Sequence, residues 1–137
     1  MSWTLYARLS PVGIPKPQPR PKATIRGAHA GVYTPPKAQG WKEIIALEAA
    51  HLAGRQVEGP IALRVNFTLP RPKARRKEHL VVTKPDLDNL LKSTMDALTD
   101  RAVWRDDSQI AEISSRKTYE TAETVPGAVI EIFTWRD

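Results

Sequence analysis

The sequence predicts the α+β fold class, a single small domain in which a mixed β-sheet has two main helices packed on it. Its 137 residues fit one compact domain, expected to span 1–137, and a hydrophobic share of 41% supplies one core. Four segments are typical of strands, and two carry the apolar spacing of helices. Because strands and helices are interleaved along the chain, the helices are expected to pack on a face of the sheet.

The first half of the chain predicts a strand, a proline-rich segment and a helix. The strand is expected at 3–9, where polarity roughly alternates. Prolines at nearly every second position of 11–21 forbid a helix and favour extended, polyproline-II-like backbone. After a short extended piece at 32–34, helical spacing runs from about 36 to 53, and Gly54 is a plausible stop. The apolar positions of this helix are Trp41, Ile44, Ile45, Leu47 and Leu52.

The second half of the chain predicts the remaining strands and a second helix. Alternating apolar residues at 60–69 indicate the clearest strand. Basic residues and prolines at 70–80 indicate an exposed basic loop. A helix is expected at 86–99, where leucines recur at helical spacing, and two further strands are expected at 109–119 and 127–135.

The chain is basic, with a formal net charge of +6 and a pI near 9.8. Such an excess of positive charge favours the binding of polyanions such as nucleic acid. A run of charged residues is also typical of an ordinary solvated surface. The proline-rich basic segment, defined as 11–31, suits a mere linker, a stiff arm laid on a phosphate backbone or, less well, recognition by another protein. The predicted DNA-binding residues are Lys16, Arg20, Lys22, Arg71, Lys73, Arg75, Arg76 and Lys77.

Carboxylates are gathered around the start of the second helix. Asp86 and Asp88 follow Pro85, and Lys92 lies one turn beyond Asp88 on the same face. Each aspartate alone fits an ordinary helix cap, because an aspartate there satisfies free N–H groups. A strand that begins near 109 can lie beside the helix start and bring a carboxylate of Asp106 or Asp107 to the first pair. Three clustered carboxylates repel one another unless a cation lies among them, and oxygen-only ligands suit a hard ion such as Mg²⁺.

Several other classes of site do not fit the sequence. An EF-hand loop that starts at Asp86 needs glycine and glutamate where the chain has Leu91 and Ala97. The chain after Asp86 is too short for the doubly wound domain of an aspartyl phosphatase. With no cysteine, disulfides and thiolate metal sites are excluded. The histidines show no metal-ligand spacing; they are His29, His51 and His79.

Neither a membrane span nor a secretory signal is expected. The sequence contains no run of about 18 apolar residues. The N-terminal residues lack the basic start and the long apolar stretch of a signal peptide. The expected location is therefore the cytoplasm, with no membrane among the partners.

Three stretches together resemble a known family. They are Lys84-Pro-Asp-Leu-Asp-Asn-Leu-Leu-Lys92, Met95-Asp-Ala-Leu-Thr99 and Val103-Trp-Arg-Asp-Asp-Ser-Gln-Ile110. With the proline-rich basic segment and Tyr33-Thr34-Pro35, they make the chain similar to the RusA family of Holliday-junction resolvases over most of its length. The resemblance implies a homodimeric, Mg²⁺-dependent enzyme, with Mn²⁺ as a substitute metal, that resolves four-way DNA junctions by paired nicks in recombination and repair.

The resemblance also assigns roles to residues around the second helix. The family's catalytic positions fall on Asp86, Asp88, Asp107 and Lys92. The aspartates are thus expected to be metal ligands, and Lys92 to stabilise the charged transition state or the leaving oxygen. Asn89 is expected to orient a carboxylate, and Asp106 to lie behind the ligands or on the surface. Two alternatives stay open: an idle DNA-binding module whose acidic cluster caps a helix, and a metal-dependent nuclease for flaps or other branched DNA.

Overall fold

Six strands and two α-helices make up the described part of the chain, residues 1–18, 22–26, 29–33 and 39–136 of this computed structural model. In chain order they are β1 (Ser2–Leu9), β2 (Lys22–Arg26), β3 (His29–Tyr33), α1 (Gln39–Glu48), β4 (Ile61–Leu69), α2 (Leu87–Asp100), β5 (Ile110–Tyr119) and β6 (Gly127–Arg136). Short 3₁₀ turns follow α1 at Ala50–Leu52 and precede β5 at Asp107–Gln109.

The main sheet contains four strands in the order β1-β6-β4-β5. Strand β4 pairs antiparallel with β6 and parallel with β5, so that Ile61 is opposite Ile110 and Leu69 is opposite Tyr119. The parallel pair follows from chain order, because a crossover that contains α2 joins β4 to β5. The predicted mixed sheet is confirmed. Strands β2 and β3 form a separate antiparallel hairpin where the sequence predicted only extended chain.

Both helices pack on one face of the main sheet. Alternate residues of β4 are fully buried, which is the pattern that the sequence predicted for this strand. Burying one large apolar side chain contributes about 1.5–3 kcal/mol, so the shared core accounts for the packing of helices on sheet. That core includes Trp41, Ile45, Ile61, Leu63, Val65, Phe67, Leu90 and Leu98.

Helix α2 runs opposite to the two strands that it connects. The chain leaves β4 at Leu69, returns along α2 and re-enters the sheet at Ile110, beside the start of β4. The start of α2 therefore lies where β4 and β5 end, and the end of α2 lies where both strands begin. A contact confirms this direction, since Nζ of Lys117 near the end of β5 donates to the Pro85 carbonyl at 2.7 Å.

The helices differ from the prediction in two respects. Helix α1 is shorter than the predicted 36–53, and its predicted start lies partly outside the described residues. Leu47, which was counted among the apolar positions, is 73% exposed, because it falls about 200° around the helix from the buried Ile45. Helix α2 matches its predicted range within one residue at each end. Neither helix of the described ranges is long and apolar enough to cross a membrane.

Candidate functional site

The start of α2 carries two exposed carboxylates. Asp86 is the N-cap residue, with φ −69° and ψ 139°, but its side chain makes no capping hydrogen bond. Asp88 lies in the first turn. Both residues are exposed, and neither forms an ion pair within the described ranges. Helix capping therefore does not account for the Asp86 side chain, and both carboxylates are available to a cation.

Lys117 holds the segment that leads into α2. Its Nζ donates to the carbonyl oxygens of Thr83 and Pro85, each at 2.7 Å. These two carbonyls flank the cis peptide bond between Lys84 and Pro85. Hydrogen bonds from a charged donor are stronger than neutral ones, so the amine fixes the backbone immediately before Asp86.

The proline-rich segment is tied to α2 over its described part. The backbone N–H of Gln18 donates to the Asn89 carbonyl at 2.9 Å. The Ser93 hydroxyl, buried on α2, donates to the Lys16 carbonyl at 2.7 Å. At residues 14–18 the segment is thus a strap packed on the start of α2, which does not fit the mere-linker interpretation.

Asp86 lines a cavity of about 560 Å³ between this strap and α2. Asn89, Gln18 and Lys84 contribute to its walls. Oε1 of Gln18 is buried and has no hydrogen-bond partner in the part of the chain that the structure describes. A buried acceptor without a donor is costly, and a hydrated Mg²⁺ keeps several waters that can donate. The carboxylate and amide oxygens present here therefore fit a hydrated hard cation.

Asp107 lies at the opposite end of α2. Its carboxylate accepts hydrogen bonds from the Thr99 hydroxyl and from Nε1 of Trp104, the latter at 3.4 Å. Thr99 is eleven residues beyond Asp88, which separates them by about 16 Å along the helix. The expectation that β5 begins beside the start of α2 is wrong, because a crossover helix returns the chain to the beginning of the next strand. Accordingly, no three acidic or histidine side chains of the described ranges meet as a metal site within one chain.

The Asp106-x-x-Gln109 pattern holds Asp107 in place. The Asp106 carboxylate accepts from the Ser108 N–H at 3.0 Å, and the Gln109 side-chain oxygen accepts from the Asp106 N–H at 2.9 Å. This reciprocal pair is a capping box around the 3₁₀ turn. Gln109 Nε2 also donates to the Val57 carbonyl at 2.8 Å. Asp106 is therefore an exposed cap of the turn that presents its neighbour.

Lys92 is exposed on α2 and pairs with Asp96, not with Asp88. Its Nζ lies 3.6 Å from Oδ1 of Asp96, and the other carboxylate oxygen, Oδ2, lies 3.9 Å from Nζ of Lys42 on α1. An exposed pair four residues apart contributes only about 0.3–0.5 kcal/mol. Lys92 can therefore exchange this partner for a phosphate at little cost.

Arg71 holds the basic loop together from inside. Its guanidinium donates to the carbonyl oxygens of Glu120 at 3.1 Å, and of Arg75 and Glu78 at 2.7 Å each. The same group lies 5.2 Å from the centre of the Tyr119 ring, a cation–π contact. Because these partners engage the guanidinium, the predicted direct contact of Arg71 with DNA does not fit the structure.

The other predicted DNA-binding residues have different surroundings. Arg75 already has an acidic partner, since its guanidinium lies 3.8 Å from the Glu78 carboxylate. Arg20 lies outside the described residues, and Lys22 begins β2. Four exposed cations remain predicted DNA-binding residues: Lys16, Lys73, Arg76 and Lys77.

Both ends of α2, the strap and the basic loop all lie within a stretch that matches a known family. The family model described as "Endodeoxyribonuclease RusA" matches residues 13–133. The chain belongs to the RusA family. It is 30% identical over 132 residues to YqaN of Bacillus subtilis (strain 168), covering 88% of this chain and 92% of that protein. It is also 29% identical over 73 residues to the crossover junction endodeoxyribonuclease rusA of Lactococcus phage r1t, covering 53% of this chain and 56% of that protein.

Membership of the RusA family confirms the predicted class of enzyme, an endodeoxyribonuclease. Sequence reasoning nevertheless missed three residues around the site of this RusA-family protein: Lys117, Gln109 and Gln18. Gln109 had a local signal, because Asp-x-x-Gln is a capping-box pattern. Lys117 had none, since the carbonyls that it binds belong to a loop more than thirty positions earlier. Gln18 stands among prolines, where no periodicity distinguishes a buried side chain.

Proposed function

We propose that this RusA-family protein is a Mg²⁺-dependent endonuclease that resolves four-way DNA junctions by paired symmetric nicks, acting as a homodimer. One observation carries the proposal: Asp86 and Asp88 stand exposed at the start of α2, with no cap bond and no described ion pair. Beside Asp86 lie the strap, which carries Lys16, and Lys84, while the basic loop borders a neighbouring cavity that shares Lys84 in its wall. The printed name of the phage relative, a crossover junction endodeoxyribonuclease, supports the choice of substrate.

The chemistry of phosphodiester hydrolysis suits the residues gathered here. A bound divalent metal supplies a Lewis acid and lowers the pKa of its water. Asp86 and Asp88 would hold the ion through carboxylate oxygens, and Asn89 would orient Asp86 across the cavity that both line. Lys92, one turn along the helix, would donate to the charge that develops on the phosphoryl or leaving oxygen.

The third proposed ligand, Asp107, requires a second copy of the chain. Within one chain α2 separates Asp107 from Asp88 by about 16 Å. A twofold axis that sets the end of one α2 beside the start of the other brings the partner's Asp107 to each Asp86–Asp88 pair. Such a dimer has two equal sites, as two symmetric nicks require.

The DNA backbone would be held by the exposed cations on either side of the site. Lys16 projects from the strap, and Lys73, Arg76 and Lys77 project from the basic loop. Each phosphate contact releases condensed counterions, so the affinity for DNA is expected to fall steeply with salt.

Replacing Asp88 with asparagine tests the proposal directly. Asp88→Asn keeps the shape of the side chain but removes charge that the metal needs, so junction cleavage in Mg²⁺ should fall on the order of a hundredfold or more. Binding to the junction without metal should change little, because the lost charge does not contact DNA. Cleavage is measured on a synthetic mobile junction with both nicks mapped.

Glu48→Gln is the matched control, since it removes the same charge from an exposed position of α1. It should cut like the wild type. Undiminished cleavage by Asp88→Asn would overturn the metal assignment. Preferential cleavage of flaps or plain duplex by the wild type would overturn the choice of substrate, and no Mg²⁺-dependent product on any DNA would leave only a binding module.

A further inference from the structure

A second cavity, of about 270 Å³, adjoins the one that Asp86 lines. Five prolines form much of its wall, two from the strap, two from the basic loop and Pro85 from the entry to α2. Because proline locks its own φ, these walls are largely preformed. Leu69, Val81 and Tyr119, all buried, close the cavity on the side of the sheet.

The charges around this second cavity have one sign. Lys16 and Lys84, both exposed, are the charged residues among those that line it. Within the described ranges no carboxylate lines it. The cavity therefore offers an apolar interior to a ligand whose outer part is negatively charged.

The two cavities share part of their walls. Pro17, Lys84 and Pro85 line both of them. A phosphodiester held at Asp86 thus has the apolar cavity within reach of an adjacent nucleotide. A planar base that leaves its stack is buried favourably against rigid apolar side chains, and its phosphates stay outside beside the lysines.

We infer that this cavity binds one unstacked nucleobase of the DNA, that of a nucleotide next to the phosphodiester cut at Asp86. The inference rests on the proposed function and adds a contact by which the enzyme selects where it cuts. The prolines provide the flat walls of the base site, Tyr119 closes its inner end, and the two lysines hold the flanking backbone.

Ile14 is a suitable position for a test substitution, because it lines the cavity and is 49% exposed. Ile14→Trp fills the space that the base would occupy. Val12→Trp is the matched control, two residues earlier on the same segment, 64% exposed and not part of the wall. Melting temperatures of both variants establish that they fold, and Pro72→Trp fills the cavity from the opposite wall should Ile14→Trp fail to fold.

The substrates are a junction with intact bases and matched junctions with one abasic nucleotide on either side of the mapped nick. The wild type and Val12→Trp should cut one abasic junction about tenfold more slowly than the intact one, a loss on the scale of one base contact. Ile14→Trp should cut both at the same reduced rate, since the base has no site to lose.

Equal cleavage of intact and abasic junctions by the wild type, or undiminished discrimination by Ile14→Trp, would overturn the base site. The affinity of metal-free protein for the same junctions separates this inference from the proposed function. Should the wild type cut nothing, the proposed function fails, while tighter binding of intact than of abasic junctions, lost in Ile14→Trp, would still support the base site.

Discussion

At the residue scale, Lys117 links the sheet to the candidate metal site without being part of it. Its two hydrogen bonds end on carbonyls immediately before Asp86, so the amine sets the direction in which the helix starts. If Asp86 holds a metal as proposed, Lys117 is a positioning residue that acts on it through the backbone.

Lys117→Met is expected to weaken the metal site more than the fold. The change removes two hydrogen bonds of a charged amine, one of them exposed and one partly buried, which costs about 2–3 kcal/mol of unfolding free energy. With the entry to α2 loosened, the Mg²⁺ concentration for half-maximal junction cleavage should rise several-fold, while cleavage at saturating Mg²⁺ recovers towards the wild type. The metal titration and a denaturant melt provide the two measurements.

The neighbouring Arg116 supplies the control for Lys117. It is exposed and projects from the other face of the sheet, so Arg116→Met removes a charge without touching the loop. The Mg²⁺ concentration for half-maximal cleavage by Arg116→Met should equal that of the wild type. A Lys117→Met enzyme that loses stability but keeps the wild-type Mg²⁺ requirement would show that the residue supports the fold alone.

At the scale of elements, the basic loop is an ordered structure that is built around Arg71. Three carbonyls and an aromatic ring engage this side chain, whereas Lys73 in the same loop is exposed. Arg71 and Lys73 look equivalent in the sequence but differ in their surroundings. Arg71 stabilises the loop, and Lys73 is available to bind a phosphate.

Arg71→Met and Lys73→Met should consequently differ in kind. Arg71→Met should speed amide exchange at Arg75 and Val81 in the DNA-free protein and lower its stability by about 1–3 kcal/mol. Lys73→Met should leave stability within about 0.5 kcal/mol but reduce the slope of log affinity against log salt by about one. Hydrogen exchange, denaturant melts and junction binding at several salt concentrations give the comparison. An Arg71→Met protein of unchanged stability, with only the slope reduced, would make Arg71 a phosphate contact after all.

Periodicity alone predicted the elements of the main sheet and α2, because their apolar patterns are local. The pattern at Ile61, Leu63 and Val65 predicted β4, for example, and the buried residues confirm it. The relation between the carboxylates was not local. Placing Asp107 requires the knowledge that β4 and β5 are parallel, which depends on how strands order themselves in space and not on any spacing along the chain.

Chemistry-bearing residues were predictable where the family motif covers them and not where tertiary contacts decide. The motif gave Asp86, Asp88, Lys92 and Asp107 as candidates. Asp86, Asp88 and Lys92 lie at the N-cap and in the first half of α2, whereas Asp107 lies at its opposite end. The motif could not show that Arg71 turns inward, because that depends on carbonyls such as that of Glu120, about fifty residues away.

At the scale of the whole molecule, the divided carboxylates make a mixing experiment decisive. Asp88→Asn and Asp107→Asn homodimers should both be inactive. Suppose that each site takes Asp107 from the partner chain. In a heterodimer of the two variants, one site then contains both substitutions, and the other site contains the three native aspartates. Equal mixtures should then regain about a quarter of the wild-type sites, because half of the dimers are mixed and one site in two is whole.

The recovered activity should appear as single nicks, since each mixed dimer has one working site. The products are distinguished on a junction that is labelled in each strand. Mixing wild-type and Asp88→Asn chains measures the exchange of subunits and serves as the control. No recovery despite demonstrated exchange would place all three aspartates at a site within one chain or remove Asp107 from the site.

In such a dimer, helix α2, described above as the crossover between two strands, would determine the distance between the two active sites. Its first turn would belong to one cutting centre and its last turn would contact the aspartate of the other, so its fourteen residues, about 21 Å, would set the spacing of the two incisions. One added helical turn would push the incisions about 5.4 Å further apart, and one added residue would swing them about 100° out of alignment. In the proposed dimer the length of this helix would constrain the enzyme as strictly as the identity of the acids at its ends.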